Sequence, residues 1–270
     1  MLNIKNVTKT FFPGQINEKI ALTNVNCKLH HGDFVTVVGG NGAGKSTLLN
    51  CIAGVHFPEA GHITLEEQDI TRTPEHLRAN KIARVFQDPL LGTAASMTLE
   101  ENLAMALKRG EKRGFKRAIK VADKDLFRER LALLDLGLEN RLKDKVGLLS
   151  GGQRQALTLL MATLQKPQLL LLDEHTAALD PQTGKKVMEI TEWLVREFKL
   201  TTLMVTHNLE QALNYGNRII MMDSGNIILD LQDEKKEDLT IGKLMEHFAN
   251  TGTAALNDDK MLLSKWSNAS

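Results

Sequence analysis

Apolar positions gather into short runs in the first third of this chain and at helical spacing in the middle. Phe34-Val35-Thr36-Val37-Val38 is an almost unbroken apolar run and predicts a buried strand. Thr47 to Ala53 follow as a helix that stops near Gly54. Ahead of them, Leu2-Asn3-Ile4 and Ile20-Ala21-Leu22 read as short strands, with Phe11-Phe12-Pro13-Gly14 as a turn between them. Residues 61–70 alternate weakly, which predicts a small hairpin, and Ile82 to Phe86 predict another strand. From Thr98 to Leu164 the pattern is helical. Leu169 to Leu172 and Thr202 to Val205 are apolar runs of the kind found in parallel sheets. Between them a helix starts at Asp180-Pro181, proline being favourable at a first helical position. Val187, Ile190, Leu194 and Phe198 mark its buried stripe. Arg218–Asp223 and Asn226–Leu229 flank Ser224-Gly225 as a hairpin.

Composition narrows the class. The 270 residues suffice for one large core or two small ones. A net charge of +1 supplies no global field toward nucleic acid, so no nucleic-acid partner is expected. The two cysteines, Cys27 in an early strand and Cys51 in a helix, read as buried small hydrophobes in a reducing compartment. No apolar run reaches membrane-spanning length, and Met1 to Lys5 lead into no signal-peptide core. The expectation is a cytoplasmic protein that works at a membrane only if another subunit holds it there. Residues 108–130 carry ten Lys or Arg against four acids, either a solvated helix face or a contact for anionic headgroups or a membrane partner.

Chemistry enters at residues 39–46. Gly39-Gly40-Asn41-Gly42-Ala43-Gly44-Lys45-Ser46 fits G-x-x-x-x-G-K-[ST], between a strand and a helix as a phosphate-binding loop requires. Its glycines let backbone N–H groups close around phosphate oxygens, and the helix N-terminus beginning near Thr47 adds partial positive charge. Lys45 is placed to reach the β- and γ-phosphates, and the Ser46 hydroxyl to ligate Mg²⁺. Leu169 to Leu172 then end in Asp173-Glu174. In a phosphate-loop protein an Asp there holds Mg²⁺, and Glu174 would polarise a water for in-line attack. Ser150 is a natural N-cap, and Gly151 and Gly152 behind it expose N–H groups, a second anion site at a helix end. That helix is expected over Arg154 to Gln165. Asn80-Lys81-Ile82-Ala83 lacks the Asp of a guanine-reading motif, which disfavours a GTPase.

Leu149-Ser150-Gly151-Gly152-Gln153, with Gly39 to Ser46 and Leu169 to Glu174 in that order, resembles the ATP-binding cassette (ABC) ATPases over roughly residues 2–230. The resemblance implies an α/β fold: a RecA-like P-loop NTPase core (1–87 and 156–231) with an antiparallel β subdomain and an inserted α-helical signature subdomain (88–155). The cassette would cover 1–231, leaving 232–270 as a short helical tail. It further implies that Gln87 contacts Mg²⁺ and the attacking water, that His207 bonds the γ-phosphate, and that Asp180 belongs to a loop touching a second subunit. Phe11 would stack on adenine, with Phe12 as its rival. ATP and Mg²⁺ are the implied cofactors.

Two copies would sandwich two ATP molecules, each site joining Lys45, Ser46, Gln87, Asp173, Glu174 and His207 of one chain to Ser150 and Gly152 of the other. The partners implied are that second copy, integral-membrane permease subunits and a separate solute-binding protein. The location implied is the inner face of the cell membrane. His175, where many members have Pro or Ala, together with Thr176 to Asp180, is similar to a subgroup of tryptophan/tyrosine or related small-solute importers. A soluble ABC ATPase serving a cytosolic assembly, such as iron–sulfur scaffold machinery, is the alternative. A nucleotide sensor without catalysis is disfavoured by the intact Glu174 and His207.

Overall fold

The structure, a computed structural model, describes residues 1–110, 119–232, 236 and 239–250. In chain order it runs β1 (Leu2–Phe11), β2 (Lys19–Leu29), β3 (Phe34–Val38), α1 (Lys45–Ala53), β4 (Ala60–Leu65), β5 (Gln68–Asp69), α2 (Glu75–Arg78) and β6 (Ile82–Val85). There follow α3 (Leu99–Leu107), α4 (Val121–Ala132), α5 (Gly151–Thr163), β7 (Leu169–Asp173), α6 (Pro181–Glu197) and β8 (Thr201–Val205). The chain ends with α7 (Leu209–Asn214), β9 (Arg218–Asp223), β10 (Asn226–Gln232) and α8 (Ile241–Asn250). Residues 111–118 of the basic stretch and 251–270 of the tail lie outside the described residues. The chain forms two compact units, Met1–Thr73 with Met204–Ser270, and Pro74–Leu203. Among the described residues no helix is long and apolar enough to cross a membrane.

In the first unit β2, β1, β4 and β5 form an antiparallel sheet in that order. β1 and β2 are 10 and 11 residues long, far beyond the three-residue cores visible in the sequence. The reason is bulging: their register shifts after Ile4, Val7 and Lys9. Each shift resets which face a residue takes, so no simple alternation survives along the chain. Glu66 and Glu67 join β4 to β5 at φ 49 and 65, the left-handed pair a two-residue hairpin turn needs. In the same unit β9 pairs parallel to β3 and antiparallel to β10. Val38, Ile219 and Met221 from β3 and β9 pack with Ala212 of α7 and Leu244 of α8. Arg218, buried in β9, is held by both carboxylate oxygens of Asp230 at 2.6 Å and by the Lys28 carbonyl at 2.7 Å. Every member of that polar group has a partner, which a buried charge requires.

In the second unit β6 and β7 run parallel, with Ile82 opposite Leu169 and Val85 opposite Leu172. Helix α5 is buried continuously from Gln155 to Thr163. It begins at Gly151, three residues before the expected Arg154, because Ser150 caps it directly. α6 buries Val187, Ile190 and Leu194 as its spacing predicts. Phe198 departs from that stripe. It is the C-cap residue, half-buried, with its ring edge-on to Trp193 and the cations of Arg130 and Lys166 each 5.6 Å from its centre. An aromatic at a helix end finds cation–π partners more readily than a place in the core.

Candidate functional site

Six residues separate β3 from α1, and their backbone is fixed by close approach. A side chain on Gly39 would sit 2.2 Å from the Met222 carbonyl, and one on Gly44, at φ 101, would sit 2.5 Å from the Ala21 carbonyl. Ala43 is buried, while Asn41 and Gly42 are exposed at the rim. The Gly225 N–H donates to the Ala43 carbonyl at 3.1 Å, so the β9–β10 turn braces the loop from behind. Lys45 is buried, and its Nζ donates to the carbonyls of Gly39 (2.7 Å) and Gly40 (3.0 Å). Its ammonium is thereby set over the concave loop. Helix α1 has no side-chain cap and no acid in its first turn, which leaves its leading N–H groups to an anion. Ser46 is exposed and Thr47 half-buried in that turn.

The same unit places Phe11 at the end of β1, its ring edge-on to His56 at 5.2 Å with Lys9 Nζ 5.2 Å from its centre. Phe12 is left-handed (φ 53) and 53% exposed, so Phe11 is the aromatic held in a fixed orientation. His207 is exposed just beyond β8. The neighbouring Thr206 N–H donates to the Val37 carbonyl at 3.1 Å. Asn208 caps α7 by accepting from the Gln211 N–H, and the Thr206 hydroxyl donates to Gln211 Oε1. The short segment carrying His207 is therefore tied down on both sides.

In the second unit β7 ends in Asp173, and Glu174 follows at φ 46. A left-handed glutamate is a strained conformation of the kind that surrounding structure must impose. Asp173 Oδ2 accepts from Arg84 Nη2 at 2.6 Å. Arg84 also lies 4.7 Å over the Phe86 ring, and the Phe86 carbonyl accepts from Gln155 Nε2 at 3.2 Å. Gln87 comes next, exposed, where β6 has ended. Ser150 forms a full capping box: its Oγ accepts from the Gln153 N–H, and Gln153 Oε1 accepts from the Ser150 N–H, each at 3.2 Å. Gly151 is exposed at the helix tip and Gly152 buried. A Cβ on Gly152 would lie 2.1 Å from Thr183 Cγ2. Asp180 caps α6 by accepting from the Thr183 N–H at 3.1 Å, and hydrogen bonding with Thr183 holds its carboxyl below the ordinary range.

Two residues escaped the sequence reading, and a third was marked there only as a departure from the family pattern. Arg84 is one; its signal was an arginine inside the apolar strand Ile82 to Phe86. Thr183 is another, and nothing in the pattern marks it. His175 is the third: it is buried on Thr191, and burial alone pushes its pKa down to about 4. The Thr191 hydroxyl already donates to the Val187 carbonyl at 2.7 Å, so the neutral ring donates its Nε2–H to Thr191 Oγ1 at 3.0 Å. Both cysteines are free and buried, as expected, and burial raises the Cys27 thiol to about 12.

A strand–glycine loop–helix, a second capped helix opening on glycines and a strand ending in paired carboxylates are the parts of an ATP-hydrolysing cassette. The family model for ABC transporters matches residues 22–177, and the chain belongs to that family as its ATP-binding ATPase component. It is 47% identical to a tyrosine transport ATP-binding protein of Clostridioides difficile (strain R20291), covering 92% of this chain and 98% of the relative. It is 34% identical to a phosphonates import ATP-binding protein of Lactobacillus delbrueckii subsp. bulgaricus, over 85% of this chain and 89% of the relative. Among solved structures it is similar to a dimeric ATP-binding cassette in a post-hydrolysis state bound to ADP and Pi. That match has a TM-score of 0.72 and 32% identity, covering 86% of this chain and 98% of that one. A nucleotide-free cassette from an ABC transporter matches with TM-score 0.74 and 26% identity over 92% and 98% of the two chains. The α/β phosphate-loop class expected from the sequence is thus the class of its structural relatives.

Proposed function

We propose that this chain is the energising subunit of an importer for a small solute, and that the residues described above are its working parts. The observation that carries the reading is the loop between β3 and α1. Gly39 and Gly44 have no room for a side chain, and Lys45 is held over the loop by its own carbonyls. Such a cradle suits the β- and γ-phosphates of ATP. Ser46, Gln87 and Asp173 offer a hydroxyl, an amide oxygen and a carboxylate, all hard oxygen donors of the type Mg²⁺ selects. When bound, Mg²⁺ would neutralise phosphate charge. Glu174 is the base that would take a proton from the attacking water, with Gln87 and His207 orienting water and γ-phosphate. Phe11 would pack on the adenine.

A second copy would present Ser150, Gly151, Gly152 and Gln153 to that γ-phosphate, with Asp180 at the same junction. ATP would then favour a closed pair and hydrolysis would release it. Permease subunits, together with a separate solute-binding protein, would convert that cycle into uptake at the inner membrane face. Residues 1–231 would make up the cassette. The 47% identity to a tyrosine transport component favours an aromatic amino acid or similar solute.

The test is Glu174→Gln. Removing the base should lower turnover by about 10²–10⁴-fold. The variant should still bind Mg-ATP and run as a dimer in size-exclusion chromatography with light scattering. Hydrolysis near the wild-type rate, or a variant that stays monomeric in Mg-ATP, would overturn the assignment.

A further inference from the structure

Asp173, the proposed metal ligand, already has a cation on it. β6 and β7 are paired with Arg84 opposite Leu171, and Asp173 stands two residues further along β7, on the same face as Leu171. The Arg84 guanidinium closes that distance with a 2.6 Å charge-assisted bond to Oδ2. The side chains are only 12% and 16% exposed, so the pair is poorly screened. Phe86 supports the guanidinium from one side, and Gln155 of α5 fixes the Phe86 backbone at the start of the Gln87 segment. Nothing in the phosphate-loop motif calls for an arginine in this strand. A neutral side chain would fill an apolar strand position better, and this one brings its Nη2 onto the carboxylate.

We propose that Arg84 is an internal counter-ion for Asp173, a positioning residue that neutralises the carboxylate while the metal is away and lowers the affinity of the site for a divalent cation. The proposal rests on Asp173 being a metal ligand. The physics has two sides. A carboxylate at 16% exposure without a partner destabilises the metal-free chain. The same carboxylate, once stripped of its guanidinium, attracts a metal more strongly. Arg84 therefore trades metal affinity for metal-free stability. It would also relay metal arrival to Gln87, because the guanidinium that gives way stands on Phe86.

The experiment measures Mn²⁺ binding to the full chain in the presence of ADP, by electron paramagnetic resonance of free Mn²⁺, alongside melting temperature without metal. Arg84→Met should tighten Mn²⁺ binding by about tenfold or more, the scale on which a neighbouring opposite charge perturbs a carboxylate, and should lower the metal-free melting temperature. Arg84→Gln keeps a donor, drops the charge and should tighten Mn²⁺ similarly, which serves if the methionine variant folds poorly. Arg84→Lys should bind Mn²⁺ close to wild type. Unchanged or weaker Mn²⁺ binding in both neutral variants, with Asp173→Asn clearly weakened, overturns the counter-ion role alone. Wild-type Mn²⁺ binding by Asp173→Asn overturns the ligand assignment beneath it, and the proposal with it.

Discussion

His175 shows how a residue that looks like a family departure becomes a structural one. It follows Glu174 directly, yet it is buried rather than lining the carboxylates, with its Nε2–H committed to Thr191. Its folded pKa is depressed to about 4 from 6.5, so the unfolded chain binds the proton more readily. Stability from this group is fully present above pH 6.5 and is lost as pH falls toward 4. A shift of that size is worth on the order of 3 kcal/mol between those limits. Thermal melts from pH 4 to 7 should show that slope in the wild type and a flatter profile in His175→Gln. Equal slopes would place the titration elsewhere. Glycines 39 and 44 show the opposite case: their identity was legible from the loop motif, because backbone must approach phosphate closely. What each glycine also avoids, the carbonyls of Met222 and Ala21, was not legible, since those residues are distant in sequence.

At the scale of elements, α5 and α6 are set by local signals that the sequence carries. Ser150 and Gln153 form the capping box, and Asp180 with Pro181 starts α6. Their packing is a tertiary fact. Gly152 of α5 meets Thr183, in the first turn of α6, so closely that a methyl group has no space. Gly152→Ala should therefore destabilise the chain by about 1–3 kcal/mol, the usual range for overpacking. Adding Thr183→Ala should restore most of the loss, and denaturant titration of the two single variants and the double variant measures the coupling. If the threonine change gives no relief, the cost lies in the backbone rather than in this contact. The lengths of β1 and β2 belong to this scale too. Bulges hid them from any period-2 reading, whereas β3, β7 and β8, apolar throughout or nearly so, were placed within a residue or two.

For the whole molecule, the proposed function makes one chain half a machine. Its phosphate loop and its Ser150 tip are each complete in local geometry, and the proposed reaction needs them from different copies. Ser150→Arg separates the two roles. A bulky cation at that exposed tip should leave ADP or ATP binding to the single chain intact, as read by calorimetry. It should abolish dimer formation by the Glu174→Gln background in Mg-ATP. Loss of nucleotide binding in the monomer would instead put Ser150 within the chain's own site.

The sequence by itself determined the phosphate loop, the acidic end of β7, both helix caps and hence the class of chemistry. These are local: backbone conformation and helix-end electrostatics are dictated by residues within a few positions of each other. Tertiary structure alone decided that Arg84 meets Asp173, that Thr183 requires Gly152 and that His175 is buried and neutral. Those outcomes depend on strand register and helix packing, which bring together residues up to 89 positions apart and leave no periodic trace in either partner's own segment.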